Sequence, residues 1–318
     1  MPRRVEPRDK SARTATTAPL ASGSGVILEG DCLERIAEAT TLAGPFDLVY
    51  VDPPFNAGGT RGAREGRGAR AHGRTAYADA WGGIDAFLGV LEPRLAAMRD
   101  AMSTNGSLFL HLDWRAVHEA KVLADRVFGR PAFRGEIVWV PGNGARRVSG
   151  PSVTHQTILV YARGPEMTWN SEGPALREQY AETSLAMHFR HVDPSGRRYR
   201  ERVIGGKAYR YFADEGRKLG SVWSDCPAMT ANTPLTRETT GYPTQKPLKL
   251  LDRIVRLASR EGDRVLDPMC GSGTTVVAAR AAGRVGVGID QSPLACGVAR
   301  GRLATAVQTA EGRARDAE

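Results

Sequence analysis

The sequence is poor in features that would take it outside the ordinary globular enzymes. It has only four cysteines, Cys32, Cys226, Cys270 and Cys296. No two stand at a Cys-x-x-Cys spacing, so neither a zinc site nor a disulfide framework is expected. The histidines show no metal-ligand spacing either, and no metal is expected. No apolar run reaches the roughly 18 residues of a membrane span. The Arg-rich stretch 1–22 lacks the apolar segment of a secretory signal and reads as a disordered basic tail. These absences fit a reducing cytoplasm and no contact with a membrane. Acidic residues are in deficit, 35 against 44 Lys and Arg, which leaves a formal charge of +9. An arginine-based surplus suits phosphate contacts, although an Arg- and Ala-rich high-GC genome would produce it as well.

At 318 residues, 41% hydrophobic and 25% charged, the chain can bury one large core, or one core with an inserted lobe. Short, nearly continuous apolar runs are spaced along it: Gly25–Leu28, Phe46–Val51, Ser107–Leu112, Asp263–Leu266 and Arg284–Ile289. Such runs predict strands buried on both faces of a parallel sheet. Helical patterns over 250–258 and 274–282 lie among them, so the fold class is α/β, a doubly wound Rossmann-like sheet. Asp31, Asp52, Asp113, Asp267 and Asp290 stand at or just past the predicted strand ends. Ligands bind outside the carboxyl ends of such strands, so aspartates gathered on that edge suggest a site.

The alternation fails twice. The stretch from Ala57 to Ala76 is glycine-rich and carries Arg61, Arg64, Arg67, Arg70 and Arg74, which makes it too polar to pack. It suits either a grip on phosphates or a solvated linker. From Gly164 to Ala231 basic and aromatic residues mix, and an inserted lobe is expected. The predicted division is therefore a tail over 1–22, core halves over 23–163 and 232–305 flanking a lobe over 164–231, and a polar tail over 306–318. Trp139 and Trp223 fit core positions better than base contacts.

Two segments carry chemistry. In Val265-Leu-Asp-Pro-Met-Cys-Gly-Ser-Gly-Thr-Thr275, Gly271 and Gly273 allow close backbone approach to a ligand, and Asp290 then ends the next strand. A third glycine is missing because position 276 is Val, and no Gly-Lys-Ser/Thr follows, so dinucleotide and P-loop sites are excluded. A plain tight turn would contain the same Gly-x-Gly. Asp52-Pro53-Pro54-Phe55 offers a carboxylate, carbonyls freed from helix formation and a flat apolar ring. Those suit a planar heterocycle bearing an NH₂ group; a rigid turn with a buried Phe fits them equally.

Together these segments resemble the β group of amino-directed DNA methyltransferases. In that family Asp/Ser/Asn-Pro-Pro-Tyr/Phe is the catalytic motif and the Gly-rich loop binds S-adenosylmethionine. Here the catalytic motif comes first, with a lobe before the cofactor loop, which is the circularly permuted order. Gly241-Tyr-Pro-Thr-Gln-Lys-Pro247, Gly30-Asp31-Cys32 and His155–Tyr161 also resemble family segments, and the likeness covers about Gly25 to Leu303. Met269 departs from it, standing where the family usually has an aromatic; Met can fill the same apolar volume.

The resemblance implies a bacterial, cytoplasmic, site-specific enzyme that methylates the N6 amine of adenine in double-stranded DNA. Asp52, Pro53, Pro54 and Phe55 would be catalytic, acting on a flipped-out base stacked on Phe55. Asp31, Thr244, Gln245, Lys246, Asp267, Gly271, Gly273, Thr274 and Asp290 would bind S-adenosylmethionine. The arginines at 61, 64, 67, 70 and 74 would contact DNA, and the lobe would recognise the target. Cys270, in the cofactor loop, is not expected to be a nucleophile. The family tends to dimerise, and the chain lacks room for a nuclease, so any restriction endonuclease is expected to be a separate protein. Methylation of cytosine N4 is the nearest rival, and a silent DNA-binding modification subunit is the rival of another class.

Overall fold

The computed structural model describes residues 20–54, 60–62, 75–78, 82–142, 149–173, 176–229 and 238–315; for 60–62, 75–78 and 306–315 it describes the backbone only. Most of the expected basic tail, Phe55, and Arg64, Arg67, Arg70 and Arg74 lie outside the described residues.

In chain order the strands are β1 (Gly25–Glu29), β2 (Phe46–Val51), β3 (Thr60–Gly62), β4 (Thr75–Ala78), β5 (Met102–Leu112), β6 (Phe133–Trp139), β7 (Gln156–Ala162), β8 (Arg177–Glu178), β9 (His191–Val192), β10 (Arg198–Ile204), β11 (Lys207–Phe212), β12 (Arg217–Lys218), β13 (Val222–Trp223), β14 (Arg264–Asp267) and β15 (Val285–Asp290). The α-helices are α1 (Cys32–Ala43), α2 (Ile84–Ala101), α3 (Val117–Phe128), α4 (Glu182–His188), α5 (Leu248–Ala258), α6 (Thr274–Ala281) and α7 (Pro293–Arg315).

Eight strands form the main sheet in the order β1-β15-β14-β2-β5-β7-β6-β13. The first five are mutually parallel, and β7 runs antiparallel to both its neighbours. All five runs expected to be strands are strands, and they are these five neighbours.

Their apolar continuity has the expected cause, because side chains alternate between two covered faces. Phe46, Val49 and Val51 face one core with α1, α2 and α3. Leu48 and Tyr50 face the other, with α5 and α6. Trp139 and Trp223 are buried in that second core, as expected from the sequence, and each indole donates to a backbone carbonyl. All four cysteines are buried and unbridged.

In β15 the glycines at 286 and 288 share a face, and α6 lies close upon it. A Cβ at Gly286 would stand 2.9 Å from Val276 Cγ1 and 3.1 Å from Val276 O.

Several expected boundaries move. Ser22 donates to Gly283 O, so the basic tail gives way to packed chain before β1. Helix α7 continues through Arg315, taking in most of the expected polar tail; its Ala, Gln and Arg residues are good helix formers. Thr60–Gly62 and Thr75–Ala78 pair antiparallel, so a short ladder forms at the two ends of the Arg-rich stretch expected to be too polar to pack. The stretch 164–231 holds two small separate sheets, β11-β10-β9 and β12-β8. Near its end the chain rejoins the core, where β13 pairs with β6.

Among the described residues, no helix is long and apolar enough to cross a membrane.

The close approach of α6 to β15 generates a stability prediction. Gly286→Ala should cost about 1–3 kcal/mol by overpacking against helix backbone. Gly297→Ala, in α7 with open space around its Cβ, should be neutral or stabilise by up to about 1 kcal/mol. Urea unfolding midpoints of the two variants check this.

Candidate functional site

The carboxyl ends of the five parallel strands bring the five aspartates to one edge, and four of them line a common cavity. Asp31 follows β1, Asp290 and Asp267 end β15 and β14, and Asp52 follows β2. Pro53, Pro54, Gly271, Thr244, Gln245, Lys246 and Thr274 line it too. The fifth aspartate, Asp113 after β5, is turned to local work: it accepts from Arg115 N at 2.9 Å and ion-pairs with the Arg115 side chain.

The glycine-rich turn is built for close approach. Gly271 and Gly273 have φ of +51° and +73°, values that L side chains rarely adopt. A Cβ at Gly273 would lie 2.7 Å from Ala299 Cβ of α7, and one at Gly271 would lie 3.2 Å from the Tyr242 ring. Met269 packs against the main core and also lines the cavity, so it fills the apolar place expected for it. From α7, Arg302 donates to Ser272 O and Thr274 Oγ1, both at 2.8 Å, and so ties down the turn.

Each carboxylate is held differently. Asp290 accepts from Gly271 N and Ser292 N, both at 2.8 Å; burial raises its pKa and those hydrogen bonds oppose the rise. Asp31 caps α1 through Leu33 N at 2.9 Å and ion-pairs with Arg94 of α2. Asp267 accepts from Thr275 Oγ1 at 2.5 Å and Met269 N at 3.3 Å. Burial pushes the Asp267 carboxyl up to about 7; the Asp52 and Asp290 charges add to this, while the Thr275 and Met269 hydrogen bonds oppose it.

Asp52 is ion-paired with the Lys246 ammonium. Lys246 is buried and arrives from the segment leading into α5, where Thr244 has a φ of +58°. The Gln245 amide stabilises that segment from within, accepting from Thr240 N and Thr240 Oγ1 and donating to Glu238 O. Beneath Asp52, the Tyr50 hydroxyl meets His111 Nδ1 at 2.8 Å in the core. Burial and the Lys246 charge hold the His111 imidazole well below its usual pKa. Burial pushes the Cys270 thiol up, which disfavours the thiolate.

The residues named from sequence therefore separate into two kinds. Asp31, Asp52, Asp290, Gly271 and Lys246 are brought together lining one cavity, whereas Gly273 does not line it and packs against Ala299 of α7. Asp267, Gln245 and Thr274 line the same cavity, but their polar atoms are engaged in holding the turns. Arg61 lies in β3, where only the backbone is described. Tyr50, Arg94, Tyr242 and Arg302 belong to the site as well; Tyr242 lies in the quoted Gly241–Pro247 segment, and no local sequence signal marked the other three as site residues.

A glycine turn and an Asp-Pro-Pro segment at adjacent strand ends of this sheet define the Rossmann-like methyltransferase class. The chain belongs to the N6/N4 DNA methylase family, whose model, described as "DNA methylase", matches residues 46–300.

The chain is 27% identical over 304 residues to Type II methyltransferase M.EcaI of Enterobacter cloacae, covering 81% of this chain and 64% of that protein. It is 24% identical over 266 residues to DNA adenine methyltransferase YhdJ of Escherichia coli, covering 83% and 77%. The chain spans only 64% and 63% of the lengths of M.EcaI and of M.HpaI from Haemophilus parainfluenzae. Among solved structures it is similar to the complex of M1.HpyAVI with SAM, at TM-score 0.51 and 18% identity over 88% of this chain and 99% of that one. PvuII DNA methyltransferase, described as cytosine-N4-specific, gives TM-score 0.55 at 13% identity over 89% and 88%.

The raised Asp267 pKa fixes a pH dependence. The folded state keeps this proton up to about pH 7, whereas an ordinary Asp releases it near 3.8. Stability from this group is full below the lower value and is lost as pH rises through the higher one. Relative to Asp267→Asn, the natural chain should lose about 2–3 kcal/mol between pH 5 and pH 8, measured by urea unfolding at both pH values.

Proposed function

We propose that this chain is a DNA methyltransferase that acts on the exocyclic amine of a base flipped out of duplex DNA, the N6 amine of adenine, with S-adenosylmethionine as methyl donor. The observation that carries the reading is one cavity lined by both Asp52 and the turn at Gly271 and Ser272. Relatives named as type II methyltransferases support duplex DNA as the substrate. Asp at position 52 is the basis for choosing adenine, since the family tends to use Ser there for cytosine.

The cavity suits the cofactor. Asp290 offers carboxylate lone pairs beyond its two backbone bonds, as a ribose diol needs. Asp31, fixed by Arg94, lines the same cavity, where an adenine amine would find an acceptor. Gly271 leaves room for close approach to the main chain, and Gly273 lets α7 pack against the turn. Asp267, Thr274 and Gln245 act as positioning residues that keep the turns in shape. When bound, S-adenosylmethionine supplies an electrophilic methyl group on a sulfonium.

The chain's own residues handle the base. An exocyclic amine is a poor nucleophile because its lone pair is delocalised into the ring. Hydrogen bonds to the Asp52 carboxylate and the Pro53 carbonyl favour a more tetrahedral nitrogen and aim its lone pair. Lys246 holds Asp52 before the base arrives, and the amine takes over one of its donor positions. Methylation makes the nitrogen acidic, and Asp52 then accepts its proton. Positioning supplies much of the acceleration, and no covalent intermediate with the protein is required. The order of the chain, catalytic segment first, is that of circular permutation. That β14 and β15 lie between β1 and β2 in the sheet supports this reading.

The test is mass spectrometry of nucleosides from methylation-free DNA incubated with the protein and S-adenosylmethionine. N6-methyladenine is the expected product. N4-methylcytosine would overturn the base assignment, and absence of any methylated base across varied DNA would leave the silent DNA-binding subunit. Asp52→Ala should bind the cofactor normally by calorimetry, yet methylate on the order of 10²–10⁴-fold more slowly. Full activity in that variant would defeat the mechanism.

A further inference from the structure

The β10–β11 hairpin is a two-stranded ribbon with a supported base and a bare tip. At the base, Arg198 donates to Leu185 O and Phe189 O at the end of α4. Arg200 lies over the rings of Tyr180, Phe189 and Tyr211, and Arg197 is pinned between Asp214, Glu215 and the Phe212 ring. These arginines are committed to the fold.

Beyond them every residue from Glu201 to Arg210 is exposed. The ribbon turns at Gly205 and Gly206, both with positive φ, a pair suited to a tight hairpin turn. Four cross-strand pairs stand in this outer part, from Glu201↔Arg210 to Ile204↔Lys207.

The two faces of the tip differ. Strand alternation places Arg202, Ile204, Lys207 and Tyr209 on one face. That face carries no carboxylate; the hairpin's acidic residue, Glu201, is on the other side and ion-paired with Arg210. The Lys207 ammonium lies 5.6 Å from the Tyr209 ring centroid, and Arg202 stands opposite Tyr209. Ile204 and Tyr209 remain 55% and 41% exposed, an apolar area left uncovered among cations.

This combination matches the floor of the DNA major groove. The groove is about 12 Å wide and 8.5 Å deep and admits a two-stranded ribbon. Four residue pairs extend roughly 13 Å, enough to reach its floor. A guanidinium can donate in parallel to guanine O6 and N7, an apolar side chain can meet a thymine methyl, and cations meet the flanking phosphates.

We propose that the β10–β11 hairpin reads base sequence by entering the major groove of duplex DNA with its Arg202–Ile204–Lys207–Tyr209 face toward the base edges. The proposal takes its polymer from the DNA-methyltransferase reading and adds the element and residues that select the site.

The test is enrichment of a randomised duplex library by binding to the full chain at fixed salt, followed by sequencing. The natural chain should enrich a short motif. Arg202→Ala and Tyr209→Ala should each lose preference at one or two adjacent base pairs, on the order of 10- to 100-fold there, and keep the rest. Glu201→Ala, on the opposite face, should enrich the unaltered motif. Unchanged motifs in both test variants, an equal loss of affinity for all sequences, or no motif from the natural chain would overturn the proposal. Methylation of the enriched duplex is read separately. A motif that shifts with Arg202 on DNA that never gains a methyl group would sink the enzyme reading and leave the hairpin's role standing.

Discussion

Everything at the candidate site hangs on a short parallel ladder between β2 and β14, where Val265 pairs with Leu48 and Leu266 with Val49. These four residues are almost wholly buried, so the register is held by packing on both faces of the sheet. Asp47 reinforces it from the start of β2, accepting from Arg264 N at 3.0 Å and from Ser103 Oγ at 2.8 Å. The ladder joins segments more than 200 positions apart and sets the carboxyl ends of β2 and β14 side by side. Without it the Asp52 segment and the glycine turn would belong to separate surfaces. The Lys246–Asp52 ion pair, spanning 194 positions, closes the same junction from above.

Gathering four carboxylates round one cavity is electrostatically unfavourable, and the fold answers each in its own way. Backbone N–H groups meet Asp290, cations meet Asp31 and Asp52, and Asp267 is buried so fully that it keeps its proton to near neutrality. The last solution lowers the charge of the edge instead of balancing it. Such a division leaves Asp31 and Asp52 in partnerships with side-chain cations, which a ligand can rearrange. Asp290 and Asp267 are tied to the rigid turn.

Much of this was legible in the sequence because strong local signals coincide with the site. Runs such as Phe46–Val51 declare buried parallel strands by composition alone, and Asp-Pro-Pro and Gly-x-Gly mark the turns that end two of them. What stayed hidden depends on distance in sequence. Arg94, an ordinary helix arginine, matters because α2 lies beside α1; Arg302 matters because α7 crosses the glycine turn. Gln245 and Thr274 were legible as site residues but not as groups engaged in holding their own loops, since side-chain orientation has no sequence signature. The pairing of β13 with β6 was equally invisible: two residues, Val222 and Trp223, are too few to announce a strand.

The hairpin tip of the lobe has one further consequence. Its outer residues are exposed throughout, whereas the arginines at its base are bound into the fold. Substitutions at the tip are thus nearly free of any penalty in stability, while those at the cavity are not. A lineage built on this plan can drift in what it recognises without risking its ability to fold or to catalyse, so divergence should gather in the ribbon's outer pairs and spare the strand ends.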